Sequence, residues 1–82
     1  MPESKEYKPI QCGLHDLIED RIVRRVVCSI TYLLESGVGT EAYSGRLLDV
    51  FTREGAEFIK LEQGDLVRLD RILKLDEVDF AQ

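Results

Sequence analysis

The side chains that could do chemistry are concentrated in one short stretch, which holds His15, Asp16, Glu19 and Asp20. Paired carboxylates can act as general acid and base, and a histidine beside acids can bind a metal ion. The carboxylates are expected on a solvated helix face without a pocket, and the histidine has only two distant cysteines as further ligands. The sequence shows neither a nucleophile motif nor a glycine-rich phosphate loop. We therefore predict a non-enzymatic protein with no catalytic residues, no cofactor and no metal.

The same carboxylates have two further interpretations. Asp16 followed three residues later by Glu19 resembles a capping box, in which side chains bond the open amides of a helix start. Asp16 and Asp20, in contrast, are like charges four residues apart, and such a pair costs an isolated helix a few tenths of a kcal/mol. A cluster of this kind is easier to explain if a positively charged partner docks there. Spacing favours capping and leaves docking open.

The elements that position these residues follow from the spacing of apolar side chains. Leucine and isoleucine at positions 14, 17, 18 and 22 predict an amphipathic helix, with the ionisable residues on its opposite face. After Arg24 the period changes to that of strands separated by glycine turns. The five predicted strands cover residues 26–34, 41–51, 56–61, 65–69 and 71–76.

This order of elements predicts a mainly β protein with one N-terminal α-helix. Five short, consecutively turned strands favour a small closed or nearly closed barrel, because an open sheet of this size would leave exposed edges. The helix would cover one end of the barrel. We expect a flexible tail at residues 1–6, one domain at 7–76 and a short acidic tail at 77–82.

Composition limits the possible partners. The 82 residues fit one small domain, and 16 acidic against 11 basic side chains give a formal net charge of −5. A negative chain gains nothing from counterion release at phosphates, so we expect no direct nucleic-acid binding and favour a basic protein surface as partner. The charge is explained equally well by solubility. No run is apolar enough to span a membrane or to act as a signal peptide, which predicts a cytoplasmic protein with free cysteines.

The aromatic residues offer one more candidate site. Phe51 and Phe58, together with three tyrosines, could stack nucleic-acid bases. Such platforms carry interleaved lysine and arginine, whereas the sequence neighbours here include Asp49 and Glu57. We therefore predict that Phe51 and Phe58 belong to the core.

Two runs of sequence resemble a known family. The pattern YxPIxC at residues 7–12, followed by Asp16 and Glu19, resembles the opening signature of the Rof family of Rho-binding antiterminators. The run VRLDRI at residues 67–72 resembles the closing strand motif of the same family. The resemblance spans residues 7–75, and the order of helix and strands agrees with it.

The resemblance implies a fold, a partner and contact residues. Members of this family carry an N-terminal helix on a five-stranded Sm-like (SH3-like) barrel. They bind the N-terminal domain of the transcription termination factor Rho over its primary RNA-binding surface, so that Rho cannot load onto nascent RNA. Here that implies a monomer whose carboxylates take the place of RNA phosphates. The contacts implied in this sequence come from the helix and from the turn after the second strand: His15, Asp16, Glu19, Asp20, Arg53 and Glu54.

Two other functions remain open on sequence grounds. An Sm-like RNA-binding module would share the fold but should show a basic face, whereas this chain shows an acidic helix. An interaction module for some other basic protein would use the same acidic face.

Overall fold

The structure, a computed structural model, describes residues 10–34 and 36–80, which form one helix followed by seven short strands. The predicted tail at residues 1–6 lies outside the described residues. The helix has 13 residues, which is too few to cross a membrane, and no helix among the described residues is longer. The elements in chain order are α1 Cys12–Arg24, β1 Cys28–Leu33, β2 Thr40–Gly45, β3 Leu47–Arg53, β4 Ala56–Leu61, β5 Leu66–Arg68, a 3₁₀ turn Leu69–Arg71, β6 Ile72–Leu75 and β7 Val78–Asp79.

The described strands form two antiparallel sheets. One has the order β2-β1-β6-β7 and the other the order β3-β4-β5. The prediction of a mainly β protein with an N-terminal helix is confirmed. All five predicted strands occur, and the second is divided at Arg46 into β2 and β3, which belong to different sheets. The chain thus passes from one sheet to the other at Gly45 and Arg46, and again at the 3₁₀ turn.

The core lies between the sheets and the helix. Ile18 of α1 is fully buried, and Leu14, Leu17 and Ile22 pack partly buried against the same cluster, as the apolar spacing predicts. Burying a leucine or isoleucine side chain contributes about 1.5–3 kcal/mol, so this helix face holds α1 on the sheets. The buried cluster consists of Ile10, Ile18, Cys28, Ile30, Leu47, Ile59, Leu61, Val67, Leu69, Ile72, Leu75 and Phe80.

Residues 77–80 belong to the fold, which corrects the prediction of a short acidic tail at 77–82 over these four residues. Positions 81–82 of the predicted tail lie outside the described residues. Val78 and Asp79 form β7 and pair with Leu75 and Lys74 of β6. Phe80 is 1% exposed, and its backbone N–H donates to the carbonyl of Leu73 at 2.8 Å. One large aromatic side chain supplies enough apolar area to hold this acidic stretch against the core.

The assignment of Phe51 and Phe58 to the core is also wrong. Both side chains are half-buried and neither joins the buried cluster. The reason is strand phase: in β4, Ile59 and Leu61 face the core, so Phe58 between them points to the opposite side. Phe51 lies directly opposite Phe58 in the register of β3 and β4 and shares its face.

Gly45 occupies a corner that has no room for a side chain. The hydroxyl of Tyr43 donates to the carbonyl of Arg46 at 2.7 Å and accepts from the backbone N–H of Glu62 at 3.0 Å. These two bonds connect Tyr43, near the end of β2, with the residue before β3 and with the residue after β4. A Cβ atom on Gly45 would lie 2.5 Å from that same hydroxyl oxygen and 2.8 Å from Cζ of Tyr43.

Gly45→Ala is therefore expected to lower the free energy of unfolding by about 1–3 kcal/mol, the usual cost of overpacking. Chemical denaturation followed by circular dichroism measures it. Gly13→Ala is the matched control, because Gly13 lies inside α1 and an added Cβ would meet nothing within 4 Å outside the backbone of its own helix and its two chain neighbours. That substitution is expected to be neutral or to stabilise by up to ~1 kcal/mol. Equal stability of the two variants would show that the Tyr43 corner is not tightly packed.

The two cysteines are free, as predicted, and differ in exposure. Cys12 is exposed, whereas Cys28 is buried and its Sγ lies 3.6 Å from the carbonyl oxygen of Gly45. Burial raises the pKa of the Cys28 thiol, and the charge of Asp76 raises it further. A thiol with a raised pKa forms less of the reactive thiolate.

A disulfide reagent such as DTNB is expected to titrate one thiol of the native protein rapidly and the other far more slowly. Cys28 should react on the order of 100-fold more slowly than Cys12, because a local opening of the fold that costs about 3 kcal/mol must precede its reaction. Cys12→Ser should remove the rapid phase and Cys28→Ala the slow one. Equal rates at the two thiols would contradict the burial of Cys28.

Candidate functional site

The candidate site begins with the outward face of α1. The helix starts at Cys12, with Gln11 as N-cap residue, and no side chain caps it. The carbonyl of Gln11 accepts from the backbone N–H groups of Leu14 and His15 at 3.0 and 3.1 Å. Asp16 consequently lies beyond the first turn, so the capping-box interpretation of Asp16 and Glu19 is wrong. Asp16 and Glu19 are exposed and bond none of the open amides of the helix start.

His15 joins this helix face to the second sheet. Its Nε2 lies 3.1 Å from Oε2 of Glu57 on β4, and its Nδ1 lies 3.6 Å from Oε2 of Glu19. The imidazole side chain is 25% exposed, so it forms the floor between the two carboxylates rather than a projecting contact. The structure thus places His15 and Glu19 together and adds Glu57.

Glu57 was missed by sequence reasoning. It has the phase of Ile59 and Leu61 on β4, so it points towards the helix side of the sheet. A carboxylate in the apolar phase of a strand is the one signal that could have identified it. Thr52 lies directly opposite Glu57 in β3, next to the hairpin turn. This end of the sheet is therefore where β4 meets the start of α1.

Asp20 contributes less negative charge to the exposed helix face than Asp16 and Glu19 do. Its carboxylate forms an ion pair with Arg24, whose Nε lies 3.0 Å away, and accepts from Nη1 of Arg21 at 2.9 Å. Arg21 also donates to Asp76 at 3.1 Å, and this bond is the main cause that raises the pKa of the Arg21 guanidinium. Two cations therefore neutralise Asp20 within the fold, and the electrostatic attraction it offers a partner is correspondingly small.

The predicted second contact, Arg53 and Glu54, lies at the β3–β4 hairpin. Glu54 and Gly55 form a two-residue turn with φ of 52° and 82°, the left-handed conformation that tight hairpins require. Glu54 is exposed at the tip, while the guanidinium of Arg53 lies 5.5 Å from the ring centroid of Phe51. Because Glu57 follows this turn and contacts His15, the hairpin and the helix start lie at the same end of the molecule.

An open depression of about 250 Å³ lies at this end of the molecule. Its lining residues are Ile10, Cys12, His15, Asp16 and Glu57. One ligand atom from each of His15, Asp16 and Glu19 lies within 4.8 Å of the others, which is close enough to share a metal ion. Exposed acids commonly form such groups without a metal, so we assign none. What the arrangement offers most clearly is a negative surface with the His15 imidazole between its carboxylates and Ile10 beside it.

The chain matches no protein-family model, no curated protein and no solved structure.

Proposed function

We propose that the protein is a Rof-like antiterminator that binds the N-terminal domain of Rho and occludes its primary RNA-binding surface. The observation that carries the proposal is the exposure of Asp16 and Glu19 on α1. Neither carboxylate caps the helix, and within the described residues neither pairs with a lysine or an arginine. Their charges are thus available to a basic partner.

The physical basis of the proposal is mimicry of RNA. Carboxylates at the positions of RNA phosphates would pair with the same lysine and arginine side chains of Rho. Glu54 at the hairpin tip adds negative charge at the same end of the molecule, whereas Asp20, paired within the fold, adds little. Attraction between exposed charges is screened by salt and acts mainly on the rate of association.

The proposal includes an Sm-like barrel. Two features support it: the chain bends from β2 into β3 at Gly45, and β5 leads into β6 through one 3₁₀ turn. Counting β2 and β3 as one bent strand, and setting the two-residue strand β7 apart, gives the five strands of such a barrel. In this proposal the protein acts in the cytoplasm as a monomer and catalyses no reaction.

The proposal is tested with purified Rho and a fluorescent cytosine-rich RNA. The protein is expected to lower the anisotropy of Rho-bound RNA in a dose-dependent way, and less so at higher salt. A titration of the same RNA without Rho shows whether the protein acts on the RNA itself. A second titration, of labelled protein with the isolated Rho N-terminal domain, reports contact directly. Undisturbed Rho–RNA binding, together with no binding to the domain, would overturn the proposal.

A further inference from the structure

The outer face of the sheet β3-β4-β5 carries a pair of stacked aromatic rings. Phe51 and Phe58 lie directly opposite each other in the register, with ring centroids 5.9 Å apart and ring planes inclined by 21°. Arg68 of β5 lies directly opposite Phe58 on the other side. We call this surface the Phe51–Phe58 face.

The alternation of side chains along each strand determines which charged residues lie on the same face as these rings. Glu57, the nearest acid in sequence to Phe58, points to the helix side and contacts His15. Lys60 is two residues beyond Phe58 on β4, and Arg53 is two residues beyond Phe51 on β3, so both share the aromatic face.

Asp49 is the acid that β3 contributes to this face. It lies opposite Lys60, and its Oδ1 accepts from the backbone N–H of Val50 at 2.8 Å. The sequence argument against base stacking relied on Glu41, Asp49 and Glu57. The structure places Glu41 on the other sheet and Glu57 on the helix side, so Asp49 stays on this face together with the cations beside the rings.

The cations on this face differ in what they can offer a ligand. Arg53 and Lys60 are exposed, and neither has a carboxylate partner among the described residues. Arg53 already lies 5.5 Å from the ring centroid of Phe51, which is a cation–π arrangement. Arg68 donates to both oxygens of Asp70, at 3.0 and 2.6 Å, so this pair adds no net charge to the face.

We propose that the Phe51–Phe58 face binds single-stranded nucleic acid. A base stacks on the accessible part of the ring pair, and the flanking phosphates pair with Arg53 and Lys60. Stacked rings beside exposed cations form the platform on which proteins hold unpaired bases, whose ring faces a duplex would hide. An acidic peptide would satisfy the two cations but would leave the aromatic rings without a matching surface. The face lies on the opposite side of the sheet from Glu57 and the acidic helix, so this function shares only Arg53 with the predicted contacts to Rho.

Binding is measured by anisotropy of a fluorescent single-stranded RNA of about eight nucleotides at low salt, without Rho. Phe58→Leu keeps an apolar side chain but removes the aromatic ring, and it is expected to weaken binding roughly 5- to 150-fold. For two phosphate contacts, the slope of log affinity against log salt should be about −1.4, and Lys60→Gln should halve it. The matched control is Lys74→Gln, which changes another exposed lysine, on β6 of the other sheet, and should leave affinity and slope unchanged.

Three results would overturn this inference: equal affinity of Phe58→Leu and the wild type, equal losses for the variants at Lys60 and Lys74, or binding of a polyglutamate peptide in place of RNA. Circular dichroism verifies that Phe58→Leu is folded. If that variant is unfolded, the wild-type protein is titrated with RNA instead. Binding at the proposed face should then give NMR chemical-shift changes that cluster on β3, β4 and β5. Lys60→Gln should still displace RNA from Rho, so failure here and failure of the Rho proposal can be told apart.

Discussion

Phe80→Ala is expected to lower the free energy of unfolding by about 3–5 kcal/mol, the usual cost of truncating a buried phenylalanine. Phe80 is 1% exposed in the cluster that includes Ile30 and Leu75, so its removal leaves a cavity at the end of the four-stranded sheet. Small domains are stable by only about 5–15 kcal/mol, and one of 82 residues belongs at the lower end. Chemical denaturation followed by circular dichroism should therefore show a large part of the stability lost.

The matched control is Val78→Ala in the same short segment. Val78 is 38% exposed, so truncating it removes little buried area, and the expected loss is below about 1 kcal/mol. Two equally small losses would mean that the segment after β6 is a tail, as the sequence suggested. A large loss for Phe80 alone would establish residues 78–80 as part of the domain.

The sequence predicts the helix, the strands and most turns because those depend on local spacing. The apolar period of α1 places Ile18 in the core, and the left-handed turn at Glu54 and Gly55 falls where the sequence predicts a hairpin. Phe80 was missed because it follows Glu77 and Asp79 in a stretch without a regular apolar spacing, and a single aromatic residue has no period. Its burial depends on β7 pairing with β6, which is a contact of the whole fold.

The start of the helix shows the same limit on a smaller scale. Asp16 and Glu19 have the spacing of a capping box, but the helix begins four residues earlier, at Cys12. Ile10 is 8% exposed and packs in the core, which fixes the chain just before the helix and places the N-cap at Gln11. Tertiary packing therefore overrides a local signal that favours a different start.

Only part of the candidate site could be predicted from the sequence, because the rest depends on tertiary packing. The helix carboxylates could be identified because they lie within one turn of each other. Glu57 could not, since it is 42 residues from His15 and meets it only through the packing of β4 under α1. The Phe51–Phe58 face was rejected because residues adjacent in a strand point to opposite sides, and a sequence neighbour such as Glu57 is then not a spatial neighbour.

Reversing the charges of Asp16 and Glu19 is expected to abolish the proposed effect on Rho. The double variant Asp16→Lys, Glu19→Lys should displace RNA from Rho on the order of 100-fold less effectively than the wild type, because attraction to a basic surface becomes repulsion. Raising the salt concentration from about 50 mM to about 200 mM should weaken the wild type and leave the variant nearly unchanged. Competition with fluorescent RNA and the rate of association with labelled Rho measure both effects.

The structure separates loss of contact from loss of fold in this experiment. Because neither carboxylate caps α1, the double variant should keep its helix. A lysine in place of Asp16 would also stand one turn before Asp20 and replace a like-charge pair with an attractive one, worth a few tenths of a kcal/mol. The control variant Glu41→Lys, Glu77→Lys makes the same change in net charge at exposed positions on β2 and in the β6–β7 turn. If both double variants lose competition equally, net charge rather than the helix face determines the effect. If the folded helix variant competes as well as the wild type, α1 does not contact Rho, and the acidic face has some other role.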